Sequence, residues 1–312
     1  MSKYLVTGGA GFIGSNLARR LLSGGEEVVI LDDFSTGKSE NIEDIEDRLT
    51  LITGDICDID TVRRAMRGID YVFHHAAVVS VPRSVDDPAR TNDVNVTGTL
   101  NCLMAARDAG AARFVFAASS SAYGESPELP KREEMKPHPL SPYGVSKLVG
   151  EMYCRVFYEV YGLPTVSLRY FNIFGPYQDP GSQYAAVVPI FIARLLRGES
   201  PVVFGDGEQS RDFTYIDNAV QANLLAVKSA KADGKIFNVA CGDRYTINEL
   251  VAHLQHLTGS DKAPTYVEPR PGDIRHSMGD ISAAERALGY KPEVSFEEGL
   301  KRTVAWFRSG RR

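Results

Sequence analysis

Short apolar runs alternate with helically spaced segments over the first half of the chain. The run at 3–7 ends in glycines, and 11–22 then carries apolar residues at helical spacing. The runs at 27–31, 49–53, 71–74, 113–118 and 165–170 read as buried strands. Between them 59–66 and 88–109 have helical spacing, and Thr97, Gly98 and Thr99 predict close packing along the second helix. Ser141 is a preferred N-cap and Pro142 a preferred first helical residue, so a further helix is predicted to start there. Strand–helix alternation of this kind predicts an α/β fold, a Rossmann-type doubly wound parallel sheet with right-handed crossovers.

After about position 172 the elements shorten. Helices are predicted at 185–197, 217–230 and 246–257, with strands at 201–204 and 235–240 and an extended 264–270. Ser295 and Glu298 have the spacing of a capping box for a last helix. The pattern predicts a sheet domain over 1–172 and a smaller α/β substrate-binding domain over 173–312, with part of 211–240 returning to the sheet. In open α/β sheets ligands sit at the carboxyl ends of the strands, so the second unit is expected to close over that edge.

The composition narrows the function classes. With 312 residues, 43% hydrophobic and 24% charged, there is ample material for a core. A net charge of −5 without a basic block argues against nucleic acid. No apolar run reaches the roughly 18 residues that span a bilayer, so no membrane partner is expected. The N-terminus lacks an export-signal pattern, and Cys57, Cys102, Cys154 and Cys241 are widely spaced. They read as reduced cysteines of a cytoplasmic protein.

The chemistry begins at Thr7, Gly8, Gly9, Ala10, Gly11, Phe12, Ile13 and Gly14. Glycines at 8, 11 and 14, between a strand and a helix, permit a tight turn and close backbone approach to a pyrophosphate. Asp32 ends the next strand, where a carboxylate holds an adenosine ribose. It would repel a 2′-phosphate, and no Arg adjoins it, so NAD is preferred to NADP; Lys38 is the nearby cation. Asp55 and Ile56 follow the third strand and are placed to reach an adenine, although Asp55 equally suits a turn. His74 and His75 are adjacent, so on a strand they face opposite sides and suit packing better than a metal. Ser119, Ser120 and Ser121 follow the fifth strand without a nucleophile-elbow pattern. Tyr143 and Lys147 share a helix face, and a nearby ammonium is expected to lower the phenol pKa.

Together, the glycine loop, the stretch from Ser119 to Gly124 and the Tyr143–Lys147 spacing resemble the extended short-chain dehydrogenase/reductase family. Within it the chain is similar to nucleotide-sugar 4-epimerases, in particular those of UDP-N-acetylglucosamine and UDP-glucose. The resemblance rests on Ser80–Ser84, Tyr170–Asn172, Gln178–Pro180, Tyr184–Pro189, Arg211–Thr214 and Arg270–Ser277. It implies catalysis by Ser119, Tyr143 and Lys147. It implies NAD contacts from Gly8, Gly11, Phe12, Ile13, Asp32, Asp33, Ser35, Thr36, Gly37, Asp55 and Ile56. His75, Ala76, Ala77, Val79, Asn95, Ala117, Tyr143, Lys147 and Tyr170 complete that set. The implied UDP-sugar contacts are Ser80, Arg83, Ser119, Ser120, Ser121, Tyr143, Asn172, Ala186, Val187, Val203, Phe204, Arg211, Arg270, Asp273 and Ser277. Arg211 and Arg270 suit a diphosphate, which a guanidinium grips with two bonds.

The implied reaction is C4 epimerisation through a transient 4-keto sugar. Ser277 stands where enzymes restricted to plain hexoses carry a bulky aromatic, so UDP-GlcNAc/UDP-GalNAc is the expected pair and UDP-glucose/UDP-galactose a second. A 4,6-dehydratase would need an acidic pair where Ser120 and Ser121 stand. A UDP-glucuronate epimerase or decarboxylase would need a cation for the uronate, and Arg83 keeps that alternative open. An enzyme restricted to UDP-glucose and an NAD-binding regulator without catalysis are the remaining alternatives; the intact Ser119, Tyr143 and Lys147 argue against the regulator. The family also implies a homodimer, built on the 88–109 and Tyr143 helices.

Overall fold

The computed structural model describes residues 1–181, 186–269 and 274–310. Seven parallel strands form the central sheet: β1 (Lys3–Thr7), β2 (Glu27–Asp32), β3 (Thr50–Thr53), β4 (Tyr71–His74), β5 (Arg113–Ser119), β6 (Thr165–Tyr170) and β7 (Lys235–Val239). Their spatial order is β7-β6-β5-β4-β1-β2-β3. The direction of winding reverses between β1 and β4, which opens a crevice at their carboxyl ends. Every residue of β5 and β6 is buried, because helices cover both faces.

The two faces bury separate clusters. Leu17, Ala18 and Leu21 of helix Phe12–Ser23 share one with Ala219, Ala222 and Ala226 of helix Ile216–Lys228. Val62, Leu103 and Phe157 of helices Ile59–Ala65, Thr99–Asp108 and Pro142–Tyr161 share the other. Helix Pro142–Tyr161 starts as its sequence dictates. Ser141 Oγ accepts from Gly144 N–H at 3.1 Å, Pro142 follows, and Gly162 ends the helix at φ 70°.

Two local expectations need correction. The helix predicted at 88–109 is interrupted. Pro88–Asn92 is α-helical, Asp93–Gly98 is a π-helical turn, and Thr99–Asp108 resumes the α-helix. Gly98 lies against Ile56, where a Cβ would meet Ile56 Cδ1 at 2.6 Å, and Asn95 turns inward to bond the backbone of Val78. The extra residue in that turn reconciles both contacts. At the last helix, Phe296–Arg308, Ser295 Oγ accepts from Glu298 N–H, but the Glu298 carboxylate turns to Arg302 at 2.8 Å. The box is therefore half formed.

Beyond the sheet, the described residues form three short strand pairs. Ile173–Phe174 pairs with Thr214–Tyr215, Ser210–Arg211 with Tyr245–Thr246, and Val202–Phe204 with Thr265–Val267.

Candidate active site

The crevice forms a cavity of about 1150 Å³. That exceeds the roughly 300–1,000 Å³ typical of a single-ligand pocket. The glycine loop forms its floor. Gly8 has φ +69°, and a Cβ there would lie 2.7 Å from Ala76 N. A Cβ at Gly14 would lie 2.3 Å from Gly8 O. Asp32 is buried, and its carboxylate accepts from Ala10 N–H and Phe34 N–H, both at 2.9 Å. Burial raises its pKa, and those two N–H groups act against the rise.

Asp33 accepts from Ser35 N–H at 2.9 Å and so shapes the turn that brings Ser35, Thr36 and Gly37 to the rim. Asp55 lies 3.0 Å from the Arg90 guanidinium, which also approaches Asp33 at 3.8 Å. Burial acts to raise the Asp55 pKa, but the Cys57 N–H and Arg90 outweigh it and the net shift is downward. Arg90 lines the cavity and was not singled out in the sequence, where it is one more Arg on a helix. Lys38 pairs with Asp179 at 2.9 Å, so the nearby cation has a carboxylate partner. On the same loop Asn16 Nδ2 donates to Pro176 O at 3.1 Å, and Arg19 sits over the Tyr177 ring at 3.9 Å. These contacts hold the 176–181 loop against the glycine-loop helix.

At the centre, Ser119, Ser120, Ser121, Tyr143 and Lys147 converge on the cavity wall. Ser119 Oγ accepts from Ser121 N–H at 3.1 Å, and Ser121 Oγ is buried without a protein partner. Lys147 is buried and donates to Ala117 O at 2.8 Å. Burial pushes its pKa down to about 8, with Cys154 and Glu151 acting the other way. The expectation for Tyr143 is reversed here. Burial raises the phenol pKa, and the Ser119 hydroxyl only partly offsets it. Shared helix spacing brings Lys147 to the right face, but its ammonium is directed to a carbonyl and not to the phenol.

The histidines divide as their strand register requires. His74 bridges Thr7 Oγ1 at 2.7 Å and Thr99 Oγ1 at 2.9 Å, and burial keeps it neutral. His75 faces the other side, stacked near Tyr170 with ring centroids 6.1 Å apart. On the opposite wall, Asp212 is fully buried and accepts from Cys241 N–H at 2.8 Å, Gly242 N–H at 3.0 Å and Gly279 N–H at 3.2 Å. Burial raises its carboxyl to about 7 despite those three donors. It ties together the backbone that carries Arg211 and the backbone that carries Ser277, both of which line the cavity. Asn172 is held at φ 30° and donates to Asp212 O at 3.2 Å.

A sequence model of the NAD dependent epimerase/dehydratase family matches residues 4–240. The chain belongs to this family. It is 40% identical over 311 residues to a UDP-glucose 4-epimerase of Mycolicibacterium smegmatis, covering 98% of this chain and 99% of that one. Among solved structures it resembles the UDP-glucose 4-epimerase of Thermotoga maritima, with a TM-score of 0.95, 43% identity and coverage of 99% and 100%. It matches the UDP-N-acetylglucosamine 4-epimerase of Methanobrevibacter ruminantium M1 equally well, with a TM-score of 0.95, 43% identity and 99% coverage of each.

For an epimerase/dehydratase the residues present suit NAD. The glycine cradle would be filled by any added Cβ, and a Cβ at Gly37 would lie 2.7 Å from Asp32 Oδ1. Phe12, Ile13, Ile56, Ala76, Ala77, Val79, Ala117 and Tyr170 line the same space. Asn95 does not. Its carbonyl accepts from Val78 N–H at 2.7 Å, and its amide donates to Val78 O at 3.0 Å and Ser146 Oγ at 2.9 Å. The resemblance that placed Asn95 with NAD does not reveal which way its amide turns.

Of the residues expected to contact the sugar nucleotide, Ser80, Arg83 and Ala186 line the cavity. Phe204 lines a second cavity of about 520 Å³, which shares Ile274 as a lining residue with the first. Val187 and Val203 line neither; Val203 is a buried strand residue and Val187 opens helix Val187–Leu196. Tyr184, Ala185, Arg270 and Asp273 lie outside the described residues.

The glycine cradle gives a direct test. Gly14→Ala is expected to weaken NAD binding by roughly tenfold or more, because the methyl meets only backbone, which has no side chain to yield. Titration of NAD into cofactor-stripped protein reads the change. An unaltered dissociation constant would show that the loop yields freely.

Proposed function

We propose that the chain epimerises UDP-sugars at C4, with UDP-GlcNAc and UDP-GalNAc as the main pair and UDP-glucose and UDP-galactose as a second. The observation that carries this reading is the convergence of Ser119, Tyr143, Lys147 and Ser277 on one cavity with the glycine loop. We assign 1–172 and the returning 216–240 segment to NAD, and the remaining residues to the sugar nucleotide.

Tyr143 as phenolate takes the proton of the C4 hydroxyl, directly or through Ser119. Bound along the glycine loop, NAD would supply a reversible hydride acceptor for C4 of the sugar. Lys147 would hold the nicotinamide ribose, and its positive charge favours the phenolate of Tyr143, one helical turn away. Arg211 grips the diphosphate, about which the 4-keto sugar turns. Ser120 and Ser121 bond sugar hydroxyls, and the unpartnered Ser121 Oγ supports that role. Ser277 leaves volume for an N-acetyl group. The free thiols of Cys57, Cys102, Cys154 and Cys241 support a reducing, cytoplasmic setting.

Helix Pro142–Tyr161 exposes Val145, Met152, Val156 and Val160 along one side. We assign this stripe to a second copy of the chain, as a homodimer.

The test is product analysis with UDP-GlcNAc, UDP-glucose and UDP-glucuronate side by side, without added NADH. Epimers of the first two are expected. A need for stoichiometric NADH would sink the recycling mechanism. Turnover of the glucuronate alone would favour the second reading, in which Arg83, which also lines the cavity, binds a uronate carboxylate.

A further inference from the structure

Behind Tyr143 and Lys147 lies a charged pair that the proposed mechanism does not use. Residues 143, 147 and 151 follow at helical spacing on one face of Pro142–Tyr161. Glu151 meets Arg169 of β6 in a two-bond pair, Nε to Oε1 at 2.8 Å and Nη2 to Oε2 at 2.7 Å. Both side chains are 1% exposed. The guanidinium also lies over the Tyr123 ring at 4.6 Å, and Tyr123 Oη donates to Asn238 Oδ1 at 2.7 Å. Stability is a weak reason for such a pair, since well-packed apolar residues usually do as well.

The surroundings of Lys147 give another reason. On its own helix it lies one turn from Tyr143 and from Glu151 and two turns from Cys154. The β4 end presents His74 and His75, and β5 presents the Ala117 carbonyl and the Phe116 ring at 5.1 Å. From β6, Arg169 reaches this region through Glu151. Burial holds both histidines neutral and raises the Cys154 thiol to about 12. Among the described residues of this shell, Glu151 is the one anion.

We propose that Glu151 and Arg169 are positioning residues: Glu151, one helical turn along, supplies the negative charge that keeps Lys147 an ammonium, and Arg169 fixes that carboxylate in place. The inference rests on the proposed roles of Tyr143 and Lys147. Its sign follows from the charges. Glu151→Gln removes the anion and leaves Arg169 as the nearest charge, which is positive. Lys147 then loses its proton at lower pH, and with it goes the field that favours the phenolate.

The test compares pH profiles of kcat for wild type, Glu151→Gln, Glu151→Gln/Arg169→Met and Lys147→Met. The alkaline limb is expected to fall by about one pH unit or more in Glu151→Gln. In the double variant, which carries neither charge of the pair, it is expected between the single variant and wild type. A phenolate difference spectrum, each protein against its Tyr143→Phe counterpart, should move the opposite way, to higher pH. Limbs that stay put while kcat merely scales in both Glu151 variants would overturn the proposal and leave a structural pair. Full activity in Lys147→Met would instead overturn the reading of the site itself. The double variant guards against misfolding, because it removes both charges of the Glu151–Arg169 pair and does not strand the Arg169 guanidinium.

Discussion

Tyr143→Phe is expected to lower kcat by about 10³-fold, within the 10²–10⁴ range of a lost general base. That corresponds to about 4 kcal/mol of barrier. The fold should not change with it. Ser119 Oγ keeps its bond from Ser121 N–H at 3.1 Å, and Tyr143 N–H keeps its bond to Ser84 Oγ at 3.1 Å, since neither uses the phenol. The aromatic ring still fills its half-buried place. The measurement is epimer formation from UDP-GlcNAc, with circular dichroism melting and retained NAD as controls. A variant within tenfold of wild-type kcat would remove Tyr143 from the role of base. The raised phenol pKa sharpens the reasoning. Burial works against the phenolate in the protein alone, so the proposed mechanism relies on the Lys147 ammonium to favour it. Wild-type kcat should therefore fall as pH rises through the Lys147 pKa, about 8, where that ammonium loses its proton.

What the sequence revealed was local. The glycine loop, Asp32 and the Tyr143–Lys147 face are set by spacing within a few residues, and a strand–turn–helix converts that spacing directly into geometry. What it concealed was set by partners far along the chain. The Asp212 carboxylate takes amides from residues 29, 30 and 67 positions away. Arg90 reaches Asp55 across 35 positions. The resemblance set Asn95 among the NAD contacts, yet its side chain bonds Val78, 17 positions back. The π-helical turn around it follows from that contact and from Gly98 against Ile56, and neither is written in a hydrophobic period. The direction of the Tyr143 shift failed for a related reason. A helical pair predicts a neighbour, but burial, which no pairwise spacing reports, dominates the phenol.

Ser277→Tyr is expected to separate the two substrate pairs. Ser277 lines the cavity, and its backbone is held on both sides. Its N–H donates to Ser210 O at 3.0 Å, His276 bridges to Ser210, and Gly279 N–H reaches Asp212 at 3.2 Å. A larger side chain cannot be accommodated by moving that backbone without breaking the Asp212 ties, so the ring must enter the cavity. If the space beside Ser277 receives the C2 substituent, kcat/KM for UDP-GlcNAc should fall by on the order of 100-fold. UDP-glucose, with only a hydroxyl at C2, should change by less than about tenfold. The asymmetry is the informative part, because a pocket excludes a group by filling its volume far better than it rejects a smaller one by leaving volume empty. Equal losses on both substrates would mean that the ring blocks the whole sugar site. No loss on either would place the N-acetyl group elsewhere, and the choice of sugar would then have to be sought on the Ser80–Arg83 side of the cavity.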